Sequence, residues 1–351
     1  MQTKQEMFLD LMGQRDVQFI IPVYQRSYAW TEKQCDDLWH DINRAGRIGS
    51  VHFIGTVLYK AENKASGDQT RQLALIDGQQ RIATLTLLLA SFRAYLREHE
   101  AAVEGIDAVW LDRQYLHALD GAEDGCKLML SRLDRNTMVA VINDTPLPED
   151  SAERVTENLE FFRDKMAADD FDPQAFWAGL QNLLLIDAEL GDGDHAQYVF
   201  DSMNSKGMPL TTADLVRNRF LIAESHEEQT RLYKEYWLPI ESMFDDDKEA
   251  TKLNNAIKGW LAVNLPGVHA RSRDEVYSVF KHFIDEVYEG TTEEMLQDLR
   301  AFAKMYAENF KFNEVKKFRS EGSDEWHNEI RDGIKKDIAS KMPYRFSQGG
   351  F

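Results

Sequence analysis

The chain has 351 residues, 43% of them hydrophobic and 11% aromatic, with 41 basic against 60 acidic residues and a net charge of -19. That is enough apolar material for one large domain or two ordinary ones, and the acidic balance argues against a protein that coats DNA non-specifically. Two distant cysteines, Cys35 and Cys126, exclude a disulfide framework and a CxxC metal site and point to a reducing cytoplasm. No apolar run is long enough to span a bilayer, so no membrane partner is expected.

In chain order, residues 4–13 read as a short amphipathic helix and VQFIIP (17–22) as a strand ended by Pro22. Thr31 and Gln34 have capping-box spacing, which predicts a helix from about Thr31 to Arg44. FIGTVLY (53–59) and RQLALID (71–77) read as strands joined by the polar stretch 62–70, a hairpin loop. Ile82, Leu85, Leu89, Phe92 and Leu96 then recur at spacings of 3, 4, 3 and 4, one stripe of a helix. Beyond residue 100 the pattern turns mainly helical. KLMLSRLD (127–134) reads as a strand, 151–168 and 174–185 as helices, NLLLIDAEL (182–190) as a helix that ends as a strand. A helix from His195 to Lys206 is stopped at Gly207 and Pro209, and Thr211 with Asp214 repeats the capping-box pattern before further helices to about residue 345. The expectation is an α+β chain: a small mixed α/β core over residues 1–120, then a mainly helical region over 121–351, with a soft boundary near 100–125.

Three constellations carry chemistry. In Ile21-Pro22-x-Tyr24-Gln25-Arg26-x-Tyr28-x-Trp30, Arg26 offers a planar fork suited to phosphate and the aromatics offer stacking faces. The same residues also suit a turn whose aromatics fill the core and whose arginine pairs with a carboxylate. In Asp77-Gly78-Gln79-Gln80-Arg81, a tight strand-to-helix turn, Gly78 lets backbone approach a ligand and the helix start offers free N–H groups to an anion. There Arg81 can clamp a phosphate, Asp77 can hold Mg²⁺, and Gln79 or Gln80 can orient an attacking water. A plain connection with Asp77 as helix cap is the competing reading. The third constellation runs from Phe200 through Asn204, Lys206, Gly207, Leu210 and Asp214 to Asn218. Lys206 can reach a phosphate and Asn204 a base or ribose. The structural alternative makes Gly207 a helix C-cap, Asp214 part of a capping box and Asn218 a solvated helix position.

Taken in order, IPxYQRxYxW, DGQQR and FxxxNxKGxxLxxxDxxxN resemble the N-terminal domain of GmrSD-type restriction endonucleases, a family that also contains SspE-like sensors of phosphorothioated DNA. The motifs span residues 21–218. The resemblance implies a ParB/sulfiredoxin-like core and binding and hydrolysis of a nucleoside triphosphate with Mg²⁺. It implies that Tyr24, Gln25, Arg26, Asp77, Gly78, Gln79, Gln80 and Arg81 line the nucleotide site, with Asn204, Lys206 and Gly207 as a second wall. It also implies modified phage DNA and an HNH nuclease domain or subunit as partners. A homo-oligomer is compatible with all of this. After residue 218, His226, His269, His282 and His327 are scattered singly, with no spacing suited to an HNH metal site. The nuclease domain is therefore expected to be absent from this chain. Asp245-Asp246-Asp247 reads as a solvated turn. The basic residues Lys316, Lys317, Arg319, Lys335 and Lys336 read as a mixed-charge helix face rather than a DNA groove. Three function classes stay open: a triphosphatase that gates a nuclease, a recognition module that reads modified DNA, and a scaffold in which the motifs only hold the fold.

Overall fold

The computed structural model describes residues 1–317, apart from 63–69, 101, 120–121, 192, 204–209, 223, 245–250, 266–269 and 271. The strands are β1 (Gln2–Met7), β2 (Val17–Ile20), β3 (His52–Ala61), β4 (Arg71–Asp77), β5 (Leu128–Met129) and β6 (Leu183–Leu190). They form one mixed sheet in the order β1-β6-β3-β4-β2-β5. β1 runs antiparallel to β6 and β3 antiparallel to β4, while β6–β3, β4–β2 and β2–β5 are parallel. The chain is thus α+β, as its patterning predicts.

The helices of the first half are α1 (Phe8–Met12), α2 (Glu32–Ile48), α3 (Gln79–Glu98), α4 (Ala108–Leu111), α5 (Arg132–Asn143), α6 (Glu153–Ala167) and α7 (Pro173–Gln181). The capping box at the start of α2 forms: Gln34 Oε1 accepts the Thr31 N–H at 2.8 Å. Two expectations are corrected. Residues 4–13 are not one helix, because Gln2–Met7 pairs along its whole length with β6 and only Phe8–Met12 turns helical. KLMLSRLD is not one strand either: Leu128–Met129 pairs with β2, and α5 has begun by Arg132.

α3 is buried on more than the one stripe its spacing shows, since Ala83, Thr84, Leu87 and Leu88 are buried as well as Ile82, Leu85 and Leu89. Its interior polar residues are satisfied locally. Thr84, Thr86 and Ser91 each donate a hydroxyl to the carbonyl four residues back, at 2.8–2.9 Å. Phe92 of α3 and Trp39 of α2 both pack on Phe176 of α7, each with ring centroids 5.0 Å apart.

The later helices are α8 (Ala196–Met203), α9 (Thr212–Leu221), α10 (His226–Leu232), α11 (Leu238–Ser242), α12 (Thr251–Asn264), α13 (Arg273–His282) and α14 (Thr292–Lys317). The chain divides into two compact units, one of residues 1–209 and 221–230, the other of 210–220 and 231–351. Residues 121–209, read from sequence as part of the helical region, complete the first unit, because β6 is a central strand of its sheet. The second unit is helical among its described residues and is built on Phe220, Trp237, Trp260 and Phe280, with Phe220 and Phe280 centroids 5.3 Å apart.

Candidate functional site

The loop Pro22–Trp30 leaves β2, and the turn Asp77–Arg81 leaves the neighbouring parallel strand β4. Parallel pairing puts both exits at the same end of the sheet, so residues fifty apart in sequence meet. Gly78 adopts φ 91°, and a Cβ there would sit 3.0 Å from the Thr56 carbonyl oxygen, so a side chain would strain this turn.

The loop is held by side chains from three helices. Gln80 Oε1 accepts the Ala29 N–H at 2.7 Å, and its Nε2 donates to the Ser27 carbonyl at 3.2 Å. Gln25, fully buried, donates to the Ile76 carbonyl at 3.1 Å and accepts from Gln79 Nε2 at 3.1 Å. Asp134 on α5 accepts the Tyr28 N–H at 2.6 Å. Asn158 on α6 donates to the Tyr28 hydroxyl at 2.9 Å and to the Trp30 carbonyl at 2.8 Å. The Tyr28 hydroxyl also bonds Thr84 Oγ1 at 2.7 Å, and burial holds its pKa far above the ordinary phenol value. Arg132 donates to the Val23 carbonyl at 3.1 Å from a left-handed backbone, φ 61°, unusual for a residue with a side chain.

Between loop and turn lies a small recess with room for about one water molecule. Arg26, Tyr28, Gln79, Gln80, Ser131 and Asp134 give its polar or aromatic lining, while Ile21, Ala83 and Leu130 give an apolar wall. The structure therefore brings Arg26 together with Gln79 and Gln80. Arg81 and Asp77 face elsewhere. Arg81 donates to the Ile54 carbonyl at 2.7 Å and pairs with Asp77 at 3.3 Å. It lies over Gly55, whose φ of 105° falls at the register shift between β3 and β6; a Cβ on Gly55 would come within 1.9 Å of the guanidinium. Tyr24 is buried, which pushes its phenol pKa up, and it does not line the recess.

Asn204, Lys206 and Gly207 lie outside the described residues, as do Asp245, Asp246, Asp247, His269, His327 and the stretch from 318 onward. Among the described residues, no group of three His, Cys, Asp or Glu could hold a metal ion, and no helix is long and apolar enough to cross a membrane. The second capping box does form: Asp214 accepts from both the N–H and the hydroxyl of Thr211, at 3.0 and 2.9 Å. Asn218 is not a solvated position; it is 1% exposed, and neither amide atom has a hydrogen-bond partner among the described residues. An orphaned buried amide costs about 1–3 kcal/mol. Asn218→Leu, which keeps the branching and heavy-atom count, is therefore expected to raise the thermal unfolding midpoint; an unchanged or lower midpoint contradicts this reading.

Sequence reasoning missed Asp134, Asn158, Ser131 and Arg132. Each is an ordinary polar residue in or beside a helix, and only the packing of α5 and α6 shows what it touches.

These features define an α+β protein whose β2 and β4 exit turns share one pinned recess. The family model for the GmrSD restriction endonuclease N-terminal domain matches residues 8–221, and the chain belongs to that family. No curated protein matches the chain.

Proposed function

We propose that this chain is the nucleotide-binding and nucleotide-hydrolysing sensor of a modification-dependent anti-phage restriction system. Membership of a restriction-endonuclease family supports the system. The observation that carries the nucleotide reading is the convergence of Arg26 with Gln79 and Gln80 on one recess. In this reading Arg26 meets phosphate as a charged fork. Gln79 rather than Gln80 positions the water, because both amide atoms of Gln80 already hold loop backbone. Mg²⁺ arrives with the phosphates, as it commonly does. Asp77, which pairs with Arg81 and faces away from the recess, would be the carboxylate to hold it, and would have to turn toward the phosphates to do so. Arg81 reaches a phosphate only by giving up part of that pairing. Asn204, Lys206 and Gly207 stay in the proposal as the second wall. So do a ParB/sulfiredoxin-like core, an HNH nuclease domain or subunit as partner, a cytoplasmic setting and a homo-oligomeric state. Cleavage of DNA by this chain alone is not part of it.

The test is phosphate release from each of the four nucleoside triphosphates, with and without Mg²⁺ and with phosphorothioated or glucosylated DNA. The wild type is expected to release phosphate with at least one of them, and Arg26→Ala to lower turnover by about tenfold or more, the size of a lost charge-assisted bond. No release under any condition would overturn hydrolysis. The apolar wall of Ile21, Ala83 and Leu130 favours a second reading, a module that binds a modified DNA backbone or base without turning anything over; binding of modified DNA without phosphate release would select it.

A further inference from the structure

β1 is the end strand of the sheet, and β6 is its one sheet neighbour among the described residues. Gln2, Thr3, Lys4 and Gln5 are exposed. The strand pairs with β6 from Gln2↔Glu189 to Met7↔Leu184 without a register shift, whereas β3 slips against both of its neighbours. Its six residues include no proline. The outer edge is therefore a straight row of backbone donors and acceptors, without the bulge or proline that blunts many edges. α1, which follows directly, buries Phe8, Leu11 and Met12 and packs on β6 and α7, so its apolar side turns to the core.

The charges on this edge narrow what fits it. Side chains alternate along a strand, so Lys4 and Glu6 share one face with Asp187, while Thr3, Gln5 and Met7 share the other. The Lys4 side chain is 57% exposed and meets Glu6 at 2.9 Å and Asp187 at 3.3 Å. One ammonium thus serves two carboxylates. Burial raises the Glu6 carboxyl pKa, opposed by Lys4 and aided by Asp187, so Glu6 would gain from a second cation.

A second copy of the chain can bring one. Two copies of an edge strand meet about a two-fold axis as an antiparallel pair. Like faces stay together, so each residue faces either its own counterpart or one an even number of positions away. Among the centrings that overlap most of the strand, one on Lys4 sets two lysines face to face, and one on Glu6 sets two glutamates. Centred on Gln5, the pair sets Lys4 opposite Glu6 on both sides of the axis, with Thr3 opposite Met7 on the other face. Opposite charges so placed stabilise a strand pair, and like charges weaken it.

We propose that β1 is a homodimerisation edge, where two copies of this chain join their sheets antiparallel with Gln5 on the two-fold axis and Lys4 facing Glu6 on either side. This gives a surface to the homo-oligomeric state proposed above and rests on it, but not on the nucleotide reading.

The experiment is sedimentation velocity on the full chain over a range of concentrations, joined to cysteine crosslinking. The wild type is expected to form a dimer that dissociates on dilution, since one strand pair is a small interface. Gln5→Lys and Gln5→Glu each set like charges on the axis. Each is expected to weaken the dimer about threefold or more, and a mixture of the two to dimerise as well as the wild type or better. Gln5 is exposed, so matching thermal midpoints are expected to show the fold kept. Under oxidised glutathione, Gln5→Cys is expected to give a covalent dimer, because facing residues stand about 4.5–5.5 Å apart at Cα, a disulfide distance. Thr3→Cys, whose counterpart lies well along the strand, is not. Cys35 and Cys126 are buried and stay out of the reaction. A wild type that is monomeric at every concentration overturns this edge and the homo-oligomeric state alike, and leaves β1 to a strand of another protein. A dimer that ignores charge at Gln5 overturns the edge alone. So does one that fails to crosslink through Gln5→Cys, or that crosslinks equally through Thr3→Cys.

Discussion

Gln80→Leu should cost the protein about 2–4 kcal/mol in denaturant unfolding, although it replaces one medium-sized side chain by another. The amide of Gln80 is the clamp on the Pro22–Trp30 loop, bonding the Ala29 N–H and the Ser27 carbonyl. Leucine leaves both backbone groups without a partner in a part-buried setting, at roughly 1–3 kcal/mol each. Gln80→Glu separates the two bonds, because a carboxylate still accepts from Ala29 but cannot donate to Ser27. It should fall between the wild type and Gln80→Leu. A Gln80→Leu variant within about 0.5 kcal/mol of wild type, the scatter of ordinary surface changes, would remove the clamp from this account. The result bears on function as well: lost turnover in a Gln80 variant reports a loosened loop as readily as a lost water contact. Gln79 variants are the cleaner probe of hydrolysis.

The second large effect is expected at Arg93, a residue with no part in the motifs. Arg93 is 3% exposed on α3 and donates to the carbonyls of Ile142 and Val141 at 2.5 and 2.8 Å, closing the last turn of α5. It also pairs with Asp112, which His117 approaches at 3.1 Å. Arg93→Met keeps much of the stem but strands two carbonyls and leaves Asp112 to His117 alone, so about 3–5 kcal/mol should be lost. The pH dependence has a definite sign. Desolvation works to raise the Asp112 pKa, but the hydrogen bonds from His117 and Arg93 prevail and hold it below the ordinary carboxylate range. A depressed carboxyl stabilises the fold above its unfolded pKa and ceases to as pH falls through the lowered value. The gap between wild type and Arg93→Met should therefore narrow in acid. A gap that widens there, or a loss below about 1 kcal/mol, would show that Arg93 does not hold α5.

What the sequence revealed and what it hid divide by range. The Thr31–Gln34 and Thr211–Asp214 caps were legible because each is settled within four residues. The strand-to-helix turn at 77–81 was legible because a seven-residue strand and a stripe of spacing 3 and 4 abut there. β1 was misread because its only neighbour is β6, far along the chain, and that pairing overrides a helical pattern too short to stand alone. The recess was half legible. Arg26 and the glutamines announced themselves, but not that Gln80 serves the loop while Arg81 turns away to the bulge at Gly55. Asp134 was invisible, since one Asp in the polar first turn of a helix has no local signature.

The position of β6 has a consequence for how the protein is made. β3 needs β6 as its parallel neighbour, and β1 has no sheet partner except β6. Translation adds roughly 5–20 residues per second, so on the order of ten seconds separates the completion of β3 from that of β6. Throughout that interval the nascent chain carries a strand with one open edge and another with two, the kind of surface that invites pairing with foreign strands. A ribosome stalled before residue 183 should present a chain that engages chaperones and is cut readily by protease. One released after residue 190 should present a closed sheet. Dissecting this protein at residue 120 would leave such an open edge, so fragments meant for study should retain β6.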